Sequence, residues 1–346
     1  MLKNAADCEW RATVAGGNGG RKPVIRWMLC AGLVAVSAAL GADVASAQSY
    51  PSRPIRLIVP FPAGGPPDVI ARVMGDQFGA ELHQTVVIDN RPGAGATIGS
   101  RLVAGSDPDG YTLLFASTTS LSIAPAVFKN ADYDPVKSFA PVAGVSIGPL
   151  VVVVNPSVPA RTIGELVAYA KANPGKLNYG SGVASPPHVA WGLFTLVTGT
   201  NIQFVPYRAM AGAMTDLVSG EIQIMIDGTG PLLPHILEGK VRALAVTGQT
   251  RSPDFPNLPT MVESGYPDYV LWFWTGIVAP AGTPADIVAK VNGAINASLS
   301  APAVKASLAK FNVDPNVTTP QEFTAFLAAE SQKWGGIINK IGIKAE

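Results

Sequence analysis

Short apolar segments alternate with helical patterns along most of this 346-residue chain. The first pair is the apolar run 55–59 followed by an amphipathic stretch at 68–82, and the same order recurs further along the chain. Strands that alternate with helices form a mostly parallel sheet covered by helices. The run Leu-Val-Val-Val-Val at 150–154 has no polar alternation, which is typical of a strand buried on both faces. The sequence therefore predicts an α/β fold.

The remaining elements are predicted from the same patterns. Strands are predicted at 85–88, 111–116, 177–179, 202–205, 222–226 and 243–247. Helices are predicted at 163–171, 188–198, 212–219, 285–298, 302–310 and 320–340. No internal repeat and no linker rich in Ser, Pro or Lys interrupts this order, so the chain is expected to form globular domains.

The N-terminal segment has the pattern of a secretory signal. An uncharged apolar run at 27–40 is preceded by Arg21, Lys22 and Arg26 and followed by Ala45-Ser46-Ala47. This is the order of a basic region, an apolar region and a small-residue cleavage site. A transmembrane anchor is the alternative, but the run is shorter than the roughly 20 residues that span a bilayer. We expect residues 1–47 to be a signal peptide, with cleavage near Ala47 and export of the remaining chain.

Cysteine and charge content narrow the possible partners. Both cysteines, Cys8 and Cys30, precede the expected cleavage site, so no disulfide or thiolate site is expected in the exported protein. The 25 Lys and Arg residues nearly balance the 24 Asp and Glu residues, which disfavours nucleic acid or an anionic membrane as a partner. The three histidines match no metal-binding spacing. Neither a metal nor a cofactor is expected.

Two short motifs could indicate an enzyme or a nucleotide site. Gly144-Val145-Ser146-Ile147-Gly148 matches the G-x-S-x-G of serine hydrolases, but Pro149 and the valine strand follow it instead of a helix. Residues 93–99 resemble a dinucleotide loop whose last glycine is one position late, so a tight turn before a short helix is expected there. No catalytic residue is assigned, and a secreted esterase using Ser146 remains an alternative function.

Three loops have a composition suited to anion binding. In 60–68 and 180–188 a strand end is followed by small residues, prolines and a helix start, so free amides would face the space beyond the strand. The segment 115–120 contains four consecutive hydroxyl side chains that can donate to a carboxylate without adding charge. Plain turns and surface polar residues are the alternatives for these segments. The first two loops could face each other across a cleft.

A series of sequence blocks extends from about residue 50 to the C-terminus. It begins with Tyr50-Pro51-Ser52-Arg53-Pro54 and the segment 55–65, and continues with Asn90-Arg91-Pro92-Gly93-Ala94-Gly95 and Pro108-Asp109-Gly110-Tyr111. Later blocks are Tyr133-Asp134-Pro135, Val205-Pro206-Tyr207, the segment 239–247, Ala279-Pro280-Ala281-Gly282-Thr283-Pro284 and Lys333-Trp334. Together they resemble the Bug family, the TctC-type receptors of tripartite tricarboxylate transport systems.

The resemblance implies a two-domain clamshell of the type II periplasmic-binding-protein class, each domain a mostly parallel sheet flanked by helices. Domain 1 would comprise 48–149 and 273–346, and domain 2 would comprise 150–272. In the family, the two small-residue loops hold one ligand carboxylate through backbone groups, partly through water. Carried over by position, the loop residues are Phe61, Ala63, Gly64, Gly65 and Pro66 on one side and Ser181, Ala184, Ser185 and Pro186 on the other.

The other end of the ligand is predicted from residue chemistry. The hydroxyl side chains of Ser117, Thr118 and Thr119 are expected to line it. Asp227 would suit a ligand amine or hydroxyl, with a capping or hinge carboxylate as its alternative. Arg208 could reach a second carboxylate or lie outside the site. His188 and Tyr207 complete the candidate ligand-binding residues.

The resemblance implies a receptor rather than an enzyme. It would capture a small organic carboxylate, such as a di- or tricarboxylate, an amino acid or an aromatic acid, in the cleft between the domains. It would then deliver this ligand, as a monomer, to the membrane permease subunits of a tripartite tricarboxylate transporter. A ligand-sensing receptor for a two-component system is a further alternative.

Overall fold

The computed structural model describes residues 50–207 and 210–343. The predicted signal segment, with Cys8, Cys30 and the cleavage site at Ala47, lies outside the described residues, as does Arg208. Within the described ranges, no helix combines the length and the apolar character needed to cross a membrane.

Strands and helices alternate over most of the described chain, as predicted. The strands are β1 (Ile55–Val59), β2 (Val86–Asn90), β3 (Thr112–Ser117), β4 (Phe139–Val154), β5 (Asn178–Gly182), β6 (Gln203–Tyr207), β7 (Ile224–Gly228), β8 (Arg242–Val246), β9 (Trp272–Pro280) and β10 (Asp314–Pro315). The helices are α1 (Pro66–Glu81), α2 (Thr97–Ala104), α3 (Ala124–Val127), α4 (Ile163–Ala172), α5 (Pro186–Thr198), α6 (Met210–Ser219), α7 (Thr229–Leu237), α8 (Ala285–Leu299), α9 (Pro302–Ala309) and α10 (Pro320–Ile341).

The strands form two mixed sheets that share the 16-residue strand β4. In the first sheet β1 pairs in parallel with β2 and β3, and β9 runs antiparallel between β3 and β4. In the second sheet β5 pairs in parallel with β6 and β7, and β4 runs antiparallel to β7 and β8. Residues 139–149 of β4 pair with β9, whereas residues 150–154 pair with β7 and β8. The parallel strands are thus joined through two long antiparallel strands.

The predicted strand at 150–154 is the end of β4, and its residues are at most 1 % exposed. The sequence revealed this strand because a strand that is covered on both faces has apolar side chains at every position. Residues 139–149 of β4, the whole of β9 and the helix α7 were not predicted. The short helix expected after the glycine turn at 93–99 is α2, which follows a 3₁₀ turn at Ala94–Ala96.

The long C-terminal helix α10 contacts both halves of the core. It begins at a capping box in which the Thr319 hydroxyl accepts from the Glu322 amide and the Glu322 carboxylate accepts from the Thr319 amide. Phe323 packs with the first sheet, and Trp334 and Ile338 pack among the side chains of the second sheet. One helix therefore buries apolar surface against both sheets.

Candidate functional site

The loop between β1 and α1 is held by a buried carboxylate. Gly64 has a left-handed φ of +83°, which favours glycine. Its amide donates to Asp68 Oδ2 at 2.8 Å, while Asn90 Nδ2 donates to Asp68 Oδ1 at 2.8 Å and Arg72 Nε donates to Oδ2 at 3.0 Å. Burial raises the pKa of Asp68, but these hydrogen bonds outweigh it and hold the pKa below its ordinary value. Asp68 is therefore ionised and stabilises the loop through its hydrogen bond from the Gly64 amide.

The loop between β5 and α5 is held by His188 and Ser185. The Ala184 amide donates to His188 Nδ1 at 3.2 Å, and the Ser185 hydroxyl donates to the Gly182 carbonyl at 2.7 Å. The His188 ring stacks on Phe204 with a centroid distance of 4.2 Å. Burial lowers the pKa of His188, which keeps the imidazole neutral and able to accept. His188 thus fixes the conformation of the loop through its hydrogen bond from the Ala184 amide.

Prolines occupy the first two positions of both helices that follow these loops. Pro66 and Pro67 begin α1, and Pro186 and Pro187 begin α5. Proline has no amide hydrogen, so the helix starts provide fewer free donors than an ordinary helix N-terminus. Pro66 and Pro186 cannot donate a hydrogen bond from their nitrogens, and both residues form apolar walls of the chambers. That they contact the ligand stays a prediction.

The amide donors that remain lie one and three residues before the first proline of each helix. The amides of Gly64 and Ala184 are used within their own loops, which removes two further predicted donors. Four other loop amides have no hydrogen-bond partner among the described residues. These are the amides of Ala63, Gly65, Val183 and Ser185.

Two adjoining chambers open between the loops. We name the first, of about 140 Å³, the hydroxyl chamber; its lining includes Phe61, Ser117, Thr118, Thr119, Ser146 and Thr275. We name the second, of about 180 Å³, the Asp227 chamber; its lining includes Leu150, Pro187, Asp227, Gly228 and Pro231. The two chambers share the walls Pro66, Pro186, Phe273 and Phe311. The two chambers are therefore lined by residues that follow the ends of β1, β3, β5 and β7.

The hydroxyl groups of the hydroxyl chamber differ in the hydrogen bonds that they already make within the protein. Ser117 caps the helical turn at 118–123, because its oxygen accepts from the Ser120 amide at 3.3 Å. The Thr118 oxygen accepts from the Trp274 amide at 2.8 Å, which leaves the Thr118 hydroxyl hydrogen free to donate. The Thr119 hydroxyl has no partner among the described residues. Thr118 and Thr119 are thus the better donors toward a bound molecule.

Asp227 lies near the end of β7, where Gly228 and helix α7 follow. Its Oδ1 accepts from the Gly228 amide at 2.8 Å, and Oδ2 has no hydrogen-bond partner among the described residues. Burial raises the pKa of Asp227 to about 6, and the single backbone hydrogen bond offsets only part of that rise. The side chain is partly buried and reaches the second chamber.

Other predicted site residues do not line either chamber. The Tyr207 hydroxyl donates to Asp216 Oδ2 at 2.5 Å, and burial together with Asp216 raises the pKa of Tyr207 to about 12. Ser181 is fully buried and donates to the Gly182 carbonyl at 3.3 Å. The remaining predicted residues outside the chamber walls are Ala63, Gly64, Gly65, Ala184, Ser185 and His188.

Ser146 does not occupy a nucleophile's position. It lies within β4, 1 % exposed, and its Oγ is 2.7 Å from Thr275 Oγ1 on the adjacent strand β9. A hydrolase serine stands on a turn between strand and helix beside a histidine. No group of His, Cys, Asp and Glu side chains suited to a metal ion occurs in the described part of the chain either.

Comparison with known proteins decides the family. The family described as "Tripartite tricarboxylate transporter family receptor" matches residues 70–343. Protein BugT of Bordetella pertussis is 37 % identical over 321 residues, which cover 92 % of this chain and 98 % of BugT. The chain belongs to this TctC/Bug family of solute-binding receptors. It is a family of binding proteins and not of enzymes, so the predictions of family and of a non-enzymatic receptor are confirmed.

Solved structures of relatives show the same fold. The periplasmic binding protein BugD is 34 % identical, with a TM-score of 0.73 over 86 % of this chain and 100 % of BugD. A Rhodopseudomonas palustris protein solved with adipate is 32 % identical, with a TM-score of 0.76 over 85 % of this chain and 99 % of that protein. The prediction of an α/β periplasmic-binding-protein fold is confirmed, with mixed sheets flanked by helices.

Proposed function

We propose that this receptor captures a small organic carboxylate between the β1–α1 and β5–α5 loops. The observation that carries the proposal is a set of four loop amides without a hydrogen-bond partner among the described residues, each within three residues of Pro66 or Pro186, the two prolines that line both chambers. Uncharged donors suffice for a buried carboxylate because each oxygen needs hydrogen bonds more than a counter-ion. The related protein solved with adipate supports a carboxylate as the ligand class.

Membership of the family supports a role in transport. The receptor would work in the periplasm after cleavage near Ala47 and deliver its ligand, as a monomer, to the membrane permease subunits of a tripartite transporter. Domain 1 would comprise 48–149 and 273–346, and domain 2 would comprise 150–272. The chain would then cross between domains in β4 and near the start of β9, and rotation there would open and close the cleft.

Ligand binding is tested by thermal shift and calorimetry on protein that has been unfolded and refolded to remove co-purified compounds. The panel contains mono-, di- and tricarboxylates, amino acids and aromatic acids. A ligand at 100 times its Kd adds about 2.7 kcal/mol of stability, so a true ligand raises Tm clearly. No response to any member of the panel would refute the proposal.

Position 65 offers a matched pair of variants for the amide donors. Gly65 has a φ of −77°, which suits proline, and a Cβ there would meet its nearest neighbour, the Pro62 oxygen, at 3.7 Å. Gly65→Pro removes the amide hydrogen, whereas Gly65→Ala keeps it. We expect the proline variant to lose tenfold or more in affinity and the alanine variant to bind within threefold of the natural protein. Equal affinities would exclude this amide as a ligand donor.

A further inference from the structure

The side chain of Asp227 is the only ionisable group among the described residues that line the two chambers. The other walls of its chamber are apolar or are backbone: Pro66, Leu150, Pro186, Pro187, Phe273 and Phe311. A carboxylate in such surroundings has lost much of its hydration, and this loss is costly unless a partner replaces it.

The hydrogen bonds within the protein leave this carboxylate half satisfied. Oδ1 accepts from the Gly228 amide, and Oδ2 accepts from no group in residues 50–207 and 210–343. The raised pKa of about 6 has the same origin, since burial is its largest cause. At pH 7 the group is still mainly ionised, so a negative charge faces the chamber without a described cation beside it.

This arrangement distinguishes between possible ligand groups. A second ligand carboxylate in the Asp227 chamber would meet a like charge in apolar surroundings, which is unfavourable. A hydroxyl would supply a hydrogen bond to Oδ2 but would leave the charge uncompensated. An ammonium group would supply both, and charge-assisted hydrogen bonds are about twice as strong as neutral ones.

We propose that Asp227 binds a ligand ammonium group, so that the solute carried by this receptor is an amino-substituted carboxylic acid rather than a dicarboxylate. The inference rests on the proposed function, because the acid's carboxylate is assigned to the amides of the two loops. The Asp227 chamber then holds the amine, and the hydroxyl chamber is left for the rest of the molecule.

The proposal implies a pH dependence. The ammonium binds the ionised form of Asp227, so affinity falls as the carboxyl becomes protonated below about pH 6. From pH 7 to pH 5 the ionised fraction falls by about tenfold, and affinity should fall by the same factor. Of the other elements around Asp227, β5 contributes the hydroxyl of Tyr179; burial, and to a smaller extent Asp227, raises the pKa of Tyr179 well above its ordinary value, so this hydroxyl is neutral at these pH values. The walls from α1, β4, α5, α7, β9 and the segment at 311 contribute no ionisable side chain.

The test compares ligands with one carbon skeleton by calorimetry on the refolded protein. For chains of three to six carbons, α-amino and ω-amino acids are compared with the unsubstituted acid, the hydroxy acid and the dicarboxylate. We expect an amino acid to bind at least tenfold more tightly than its three counterparts. Asp227→Asn should lower the affinity for that amino acid by tenfold or more and abolish the pH dependence of this affinity. The affinity for the unsubstituted acid should stay within threefold of that of the natural protein.

A control variant makes the result specific. Asp286→Asn, on the exposed side of α8, should leave every affinity unchanged. A dicarboxylate or hydroxy acid that binds as tightly as the amino acid, or an Asp227→Asn protein with unchanged preference, would overturn the inference while leaving carboxylate binding intact. Absence of binding by every acid would overturn both proposals.

Discussion

Replacing Asp68 with asparagine removes a charge while keeping the shape of the side chain. Asp68 is 3 % exposed in its side chain and accepts from three donors, the Gly64 amide, Asn90 Nδ2 and Arg72 Nε, at 2.8, 2.8 and 3.0 Å. Asparagine has one acceptor oxygen, so its amide nitrogen must face at least one of these donors. A hydrogen bond to a charged group contributes about 1.5–3 kcal/mol. We expect Asp68→Asn to lower the free energy of unfolding by about 2–3 kcal/mol at pH 7.

The loss should depend on pH in a defined direction. Because the folded-state pKa of Asp68 is depressed, its contribution is fully present above the unfolded-state value of about 3.9 and is lost as the pH falls through the folded-state pKa. The stability difference between the natural protein and Asp68→Asn should therefore be constant from pH 7 to about pH 5. It should shrink under more acidic conditions.

Urea unfolding followed by circular dichroism measures both effects. The matched control is Asp76→Asn, an exposed carboxylate on the same helix α1, which should change stability by less than about 0.5 kcal/mol. The ligand affinity of Asp68→Asn should also fall, because Asp68 holds the turn at Gly64. An Asp68→Asn protein as stable as the Asp76→Asn control would refute the assignment of Asp68 as an ionised carboxylate that stabilises the loop.

Three further substitutions test the packing and the assignment of Ser146. A Cβ at Gly230 would lie 2.6 Å from backbone atoms of Phe311, so Gly230→Ala should lower unfolding stability by about 1–3 kcal/mol in urea. A Cβ at Gly335, within helix α10, would have no other atom within 4 Å. Gly335→Ala should therefore raise Tm by an amount equivalent to up to about 1 kcal/mol, because alanine favours the helix more than glycine does. A lower Tm would contradict the open space at this position. Ser146→Ala removes the hydrogen bond to Thr275 and should lower stability by about 1 kcal/mol. It should not alter the background hydrolysis of a chromogenic ester, and a loss of measurable hydrolysis would restore the esterase alternative.

The elements predicted correctly are those whose pattern is local. The runs at 55–59 and 150–154 are short apolar segments, the first interrupted by a single arginine, and both form buried strands. Strand β9 was missed because Gly276 interrupts its apolar residues, and a glycine inside such a run weakens the pattern of a strand. The structure explains that glycine, since a Cβ there would lie 2.2 Å from the Phe323 ring of helix α10.

The candidate site was predicted in part for the same reason. The loops after β1 and β5 could be located because strand ends, prolines and helix starts are local signals. Phe273 and Phe311, which wall both chambers, could not be found this way, because they come from β9 and from the segment after α9. The use of the Gly64 and Ala184 amides within their loops also depends on side-chain orientation that spacing does not specify.

The sequence by itself determined the α/β class, the family and the positions of the two loops of the candidate site, because these depend on periodicity and on motifs of adjacent residues. Tertiary structure alone decided which amides remain free, that Ser146 pairs with Thr275 inside a sheet, and that Asp227 faces a chamber lined by apolar residues. The physical reason is that hydrogen-bond satisfaction and desolvation depend on every group near an atom. Those groups here come from segments more than 80 residues apart, such as Pro66, Asp227 and Phe311.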